Sequence, residues 1–118
     1  TGLSRALKSE YPNLKTIAVE PAESPLVSAG KWGAHGIQGI GANFVPALLD
    51  RALIDEVMTV TTDEAYEKMR YAATRYGTLV GISSGAALAA AMRVAARDPS
   101  KIVVTLFPDT GERYLSVL

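Results

Sequence analysis

The residues best suited to chemistry in this chain lie in three short segments rich in glycine, hydroxyl groups and proline, not in acid pairs or histidine clusters. The first, Gly81-Ile82-Ser83-Ser84-Gly85-Ala86-Ala87, places two hydroxyls where the apolar run behind it makes a helix begin. Two readings stay open there. A serine at that point can simply cap an ordinary helix. Alternatively, one serine turns toward a ligand while the other, or water, serves the helix amides, and glycines at 81 and 85 let a flat ring approach the backbone. The second segment, Ile37-Gln38-Gly39-Ile40-Gly41, is not a dinucleotide fingerprint, because no strand leads into it and no helix opens from it. It reads as a flexible loop that either does or does not touch a ligand. The third, Pro108-Asp109-Thr110-Gly111-Glu112-Arg113-Tyr114, follows the most strand-like run of the chain, and ligands of open α/β sheets gather at the carboxyl ends of strands. Against that, Asp109 and Thr110 are ordinary turn residues, and Glu112 and Arg113 read as solvated. His35, the only histidine, reads as a surface side chain of a glycine-rich loop, with no partner cluster for a metal.

Other chemistries drop out. The chain has no cysteine, which excludes disulfides, thiolate metal sites and a cysteine nucleophile, and fits a reducing, cytoplasmic location. No carboxylate pair, serine-histidine-acid arrangement or phosphate loop can be assembled from these residues. Lysine plus arginine and aspartate plus glutamate number 12 each among 118 residues. With no net field and no basic cluster, neither nucleic acid nor an anionic membrane is an expected partner. No apolar run approaches the roughly 18 residues of a membrane span, and Thr1-Gly2-Leu3-Ser4-Arg5 is not a signal peptide. A composition of 48% hydrophobic and 20% charged residues suits one globular domain. The chain lacks an initiator methionine and opens on a helix-like pattern, so it is expected to begin inside a longer polypeptide.

The elements that position the three segments follow from periodicity and punctuation. Thr1 to about Ser9 suits a helix with Thr1 as its cap, closed by Pro12. Thr16-Ile17-Ala18-Val19 reads as a buried strand and Asp55 to Val60 as a second. Ser24 to Ala29 suits a helical turn. Gly30, Gly33, Gly36, Gly39 and Gly41 rule out a regular element there, and long glycine-rich loops in compact domains are often functional. Thr61 and Glu64 form a capping box. The helix behind it lines up Ala65, Met69, Ala72, Ala73 and Tyr76 on one face and ends at Gly77. Leu79-Val80 is a very short strand candidate. Ala86 to Ala96 predicts a helix buried on most of its surface, and Lys101 to Phe107 predicts the strongest strand, buried on both faces as in a parallel sheet. Alternating helices and apolar strands give an α/β architecture with a mainly parallel sheet. Three strands are few for so many helices, so further strands are expected outside this chain.

Taken together, in this order and spacing, His35 to Ala42, Gly81 to Ala87 and Pro108 to Ser116 resemble the cysteine synthase (O-acetylserine sulfhydrylase) family of type II, tryptophan synthase β-like, pyridoxal-phosphate enzymes. Thr1 to Lys8 is similar to the helix that follows this family's phosphate loop, and Glu20-Pro21 also matches. The resemblance implies that residues 1–118 form the C-terminal portion of the larger, cofactor-binding α/β domain. It implies that Ser83 hydrogen-bonds the pyridine nitrogen of pyridoxal phosphate, that Pro108 packs near the ring, and that Gln38 and Gly39 lie on the substrate side. The parent activity would be β-replacement of O-acetyl-L-serine with sulfide, giving L-cysteine and acetate, in a cytoplasmic homodimer that can partner serine acetyltransferase. Alternatives of the same framework are cystathionine β-synthase or an O-phosphoserine sulfhydrylase. A non-catalytic module binding a serine acetyltransferase tail is the alternative from another class.

The resemblance also marks what this chain lacks. The Schiff-base lysine, the substrate-carboxylate loop and the phosphate loop would all precede Thr1. None of Lys8, Lys15, Lys31, Lys68 and Lys101 sits in a context like that lysine, so the chain alone is expected to be inactive and not to hold the cofactor. The loop before His35 is short, and Asn43 stands where the family commonly has glycine. Both differences bear on closure over the substrate.

Overall fold

Two of the apolar runs pair side by side. In the computed structural model, which describes residues 1–117, β1 (Ile17–Pro21) and β2 (Glu56–Val60) form a parallel ladder with Ile17 opposite Glu56 and Pro21 opposite Val60. Parallel strands need a long connection. Here it holds the short helix α2 (Leu26–Ala29), the glycine-rich loop and a 3₁₀ turn at Arg51–Leu53. Glu20, buried at the end of β1, fixes the start of α2: its carboxylate accepts from the backbone N–H of Val27 (2.8 Å) and Ser28 (2.9 Å) and from the Ser28 hydroxyl.

Three longer helices frame this pair: α1 (Gly2–Glu10), α3 (Thr62–Tyr76) and α4 (Ile82–Arg97). The capping box of α3 forms as its sequence requires. The Thr61 hydroxyl accepts from the Glu64 N–H (3.2 Å) and the Glu64 carboxylate accepts from the Thr61 N–H (2.8 Å). Gly77, at φ 66°, closes the helix in the left-handed region that glycine alone enters freely. Ala65, Met69 and Ala72 are buried on its inner face. Tyr76, expected on that face, is 66% exposed, because the last turn of α3 has no element covering it, and its ring meets Tyr71 edge-on. The Thr1 side chain does not cap α1: its hydroxyl accepts from the Asp50 N–H (3.0 Å) instead. Lys8 holds α1 to the β2 entrance through Asp55. That hydrogen bond, joined by the Thr16 N–H, depresses the Asp55 carboxyl to about 2.

Helix α4 starts at Ile82, four residues before the expected Ala86, so Ser83 and Ser84 stand inside its first turn. Burial is confined to its N-terminal half, at Ile82 to Ala86, Ala89 and Ala90, and does not extend over most of the helix as its apolar sequence implied. Its outer half is fastened by charge. Arg93 donates to the Thr59 carbonyl (2.7 Å) and pairs with Glu64, while Arg97 grips Glu56 through both guanidinium nitrogens, each at 2.8 Å. The Thr61 N–H and then Arg93 hold the Glu64 carboxyl below the usual carboxylate range.

The strongest predicted strand does not form. Residues 101–107 make no ladder, and Ile102 and Val104 are 94% and 86% exposed. A strand is completed only by a neighbouring strand. Among the described residues β1 and β2 pair only with each other, so the sheet has two strands and not three. Leu79-Val80 reduces likewise to one antiparallel bridge, from Val80 to Thr110, and the chain closes in a 3₁₀ helix at Gly111–Val117.

The α3–α4 contact is set by Gly85, where a Cβ would lie 2.0 Å from the Ala65 carbonyl oxygen and 2.9 Å from the Met69 nitrogen. Backbone cannot yield as a side-chain tip can. Gly85→Ala is therefore expected to push the helices apart and cost about 1–3 kcal/mol of stability, measured by urea unfolding. An unchanged midpoint would show that α4 is not seated by this contact.

Candidate functional site

The first turn of α4 is strapped from both sides. On one side the 108–111 turn closes over it: the Gly81 N–H donates to the Asp109 carbonyl (3.1 Å), the Ser84 hydroxyl donates to the same carbonyl at 3.5 Å, and the Gly111 N–H donates to the Leu79 carbonyl (3.2 Å). Only glycine fits at 81, where a Cβ would fall 1.9 Å from Asp109 Oδ1. That oxygen is buried without a hydrogen-bond partner, while Tyr114 donates its hydroxyl to Asp109 Oδ2. The bond to Asp109 raises the Tyr114 hydroxyl above its ordinary value.

On the other side stands the glycine-rich loop. Its base is pinned by the Gly33 N–H to the Ser24 hydroxyl (3.2 Å) and by the Gly36 N–H to the Thr62 hydroxyl (3.0 Å). Ile37 is fully buried, whereas Gln38 and Gly39 are exposed. Gly39 (φ 96°) lies over Ser83, and a Cβ there would stand 3.5 Å from the Ser83 oxygen. Glu23 secures the adjoining start of α3 by accepting from the Thr62 N–H (2.8 Å). Burial alone would raise its carboxyl, but hydrogen bonding to Thr62 outweighs it and holds the group below the usual range.

The two serines are thereby distinguished. Ser84 is fully buried and turned to Asp109; Ser83 is buried, yet its hydroxyl makes no hydrogen bond among the described residues. Its oxygen keeps some exposure and no hydrogen bond of the fold uses it, so the hydroxyl is open to a ligand. The structure thus brings Ser83 and Gly39 together, with Gln38 beside them on the exposed rim. Pro108 is exposed and held near the α4 start only through its neighbour Asp109. His35 is not the surface side chain its setting implied: it is half-buried and bonded on both ring nitrogens. The strap from Asp109 was also missed, because a turn residue's carbonyl carries no signature in sequence.

The lysines lie elsewhere. Lys8 is engaged with Asp55 and the Leu14 carbonyl, and Lys68 pairs with Glu67 over the Tyr71 ring. Lys15, Lys31 and Lys101 are exposed, and no lysine hydrogen-bonds to the three segments around Ser83. Among the described residues no three potential metal ligands come together, and no helix is long and apolar enough to cross a membrane.

These loops and helices are those of a known class. Residues 1–109 match the model of the pyridoxal-phosphate-dependent enzymes, and the chain belongs to that family. Within it, the chain is 45% identical over 117 residues to a cysteine synthase of Staphylococcus aureus, an alignment covering 98% of this chain and 38% of that protein. A solved cysteine synthase of Entamoeba histolytica superposes with a TM-score of 0.95 at 38% identity, over 98% of this chain and 35% of its own. An O-acetylserine-dependent cystathionine β-synthase of Helicobacter pylori superposes with a TM-score of 0.88 at 42% identity, over 98% of this chain and 38% of its own. The chain therefore spans well under half the length of the relatives it matches.

If the Ser83 hydroxyl serves a ligand and not the fold, removing it leaves stability nearly untouched. Ser83→Ala is expected to unfold within about 0.5 kcal/mol of the unaltered chain, and Ser84→Ala to lose about 0.5–1.5 kcal/mol with its bond to Asp109. Thermal unfolding of the pair checks this. A larger loss at Ser83 would make it a structural serine.

Proposed function

We propose that this chain forms one wall of the cofactor cleft in a cysteine-synthesising enzyme, as the C-terminal portion of its cofactor-binding α/β domain. The parent reaction is β-replacement of O-acetyl-L-serine with sulfide to give L-cysteine and acetate, a transferase chemistry. The observation that carries the reading is the Ser83 hydroxyl: its residue is largely buried, its oxygen has no partner among the described residues and keeps some exposure, and Gly39 faces it. That arrangement suits a flat heteroaromatic ring that needs one neutral hydrogen-bond donor and close backbone approach. Ser83 donates to the ring nitrogen, Pro108 packs near the ring, and Gln38 and Gly39 line the substrate side.

Pyridoxal phosphate, when bound, supplies an electron sink for charge developing at the substrate α-carbon as the leaving group departs. A neutral serine at the ring nitrogen leaves that nitrogen unprotonated, which suits elimination with a short-lived carbanion. The chain itself offers no lysine beside Ser83, so the nucleophilic amine comes from elsewhere in the parent, and this polypeptide alone is inactive. On the same family resemblance we propose a cytoplasmic, homodimeric parent able to partner serine acetyltransferase.

The likeness to the Helicobacter pylori cystathionine β-synthase favours a second reading, in which the same cleft joins an amino-acid thiol in place of sulfide. The test combines this chain with the lysine-bearing N-terminal portion of the Staphylococcus aureus cysteine synthase and supplies O-acetylserine with sulfide or homocysteine. Sulfide-dependent cysteine formation is expected, with Ser83→Ala lowering kcat about 3–10-fold, the worth of one hydrogen bond. Preference for homocysteine would select the second reading. A folded, cofactor-loaded complex with neither activity would overturn both.

A further inference from the structure

His35 makes two bonds that the reaction does not require and the fold of the sheet and helices does not use. Its Nδ1 accepts from the Ile37 N–H at 3.2 Å, and its Nε2 lies 2.9 Å from the Gly41 carbonyl. An imidazole nitrogen that accepts leaves the other to carry the hydrogen, so Nε2–H donates to Gly41 and the ring is fixed as one tautomer. The ring thus spans the neck of the loop, from residue 35 to residue 41. The neck is tight: at Gly41 (φ 67°) a Cβ would come 2.5 Å from His35 Nε2 and 2.6 Å from Pro21 Cγ.

Between the two ends, Gln38 to Ile40 receives no hydrogen bond from outside the loop. The base of the loop is pinned at Gly33 and Gly36, and Ile37 is buried. Beyond Ile37, Gly39 and Gly41 both stand at positive φ, a turn that glycine takes without strain. The outgoing limb has a single hydrogen bond, from His35 to Gly41, beside the packing of Ile40 against the core.

We propose that His35 is a positioning residue that holds the Gln38–Gly39 arc over Ser83 by closing the loop across its neck. The consequence for substrate rests on the reading of Gln38 and Gly39 as the substrate side of the cleft. A loop held in one arc presents its backbone and the Gln38 side chain without an ordering cost on binding, so the histidine acts on substrate affinity more than on chemistry.

Two substitutions separate the bonds. His35→Asn keeps an acceptor for the N–H two residues on, as asparagine does in turns, but cannot reach Gly41. His35→Gln reaches Gly41 and loses the Ile37 acceptor. The test measures ¹⁵N imidazole shifts of the unaltered chain and amide hydrogen exchange of His35→Ala, His35→Asn and His35→Gln. Substrate kinetics are measured in the complex with the lysine-bearing portion. The expected results are an Nε2–H tautomer and exchange at residues 37–41 faster by about tenfold in His35→Ala with α3 and α4 unchanged. Partial restoration in each conservative variant is expected, with a KM for the amino-acid substrate raised about tenfold at nearly constant kcat. An Nδ1–H tautomer, loop exchange within about twofold of the unaltered chain, or equal loss of protection in α3 and α4 would overturn the proposal. Faster loop exchange with an unchanged KM would uphold the staple and overturn the substrate-side reading.

Discussion

Ser83 sits where it does because backbone meets backbone at the start of α4. Gly85 lets that helix lie against the Ala65 carbonyl, and Gly81 lets the Asp109 turn close over its first turn. Either contact with a methyl group in it would rotate or lift the helix, and the hydroxyl would leave the space beneath Gly39. The charged anchors at the far end, Arg93 to Thr59 and Glu64 and Arg97 to Glu56, resist the same rotation from the other side. They also join α4 to β2 and to the capped start of α3, whose Thr62 pins the glycine loop. The site is therefore one mechanical unit of α3, α4, the loop and the 108–111 turn, with the two-stranded sheet as its floor.

How much of this could be read from sequence follows how local each interaction is. The α3 helix was legible to its ends because the capping box and Gly77 are local chemistry, complete within three residues or at one φ angle. The two paired strands were legible because each is short, apolar and β-branched, with a partner available. Lys101 to Phe107 has the same composition and failed as a strand, since pairing depends on a neighbour that composition cannot report. The early start of α4 was missed because serine and glycine favour turns and caps. Tertiary contact with α3 and with Asp109 outweighs that preference here.

At the site, the motifs named Ser83, Gln38 and Gly39, of which the structure brings Gly39 over Ser83, but they did not show what holds them. Glycine density marked residues 30–41 as irregular, and it hid an ordered neck closed by His35. One signal was available: a histidine six residues before a glycine, with a buried isoleucine two positions on. That pattern is common enough to mean nothing without coordinates. Asp109 had no such signal, because its backbone carbonyl makes both bonds to the α4 start.

On the proposed reading, this chain supplies the ring-facing wall of a cleft and no reactive amine; the family match supports the family alone. The most direct test is a visible-absorption titration of the 118-residue chain with pyridoxal phosphate, followed by borohydride reduction and peptide mapping. The account predicts no saturable one-to-one band and only scattered, substoichiometric labelling of Lys8, Lys15, Lys31, Lys68 and Lys101. A stoichiometric adduct on any one of them would contradict it, because the chain would then carry the amine that its geometry withholds from Ser83.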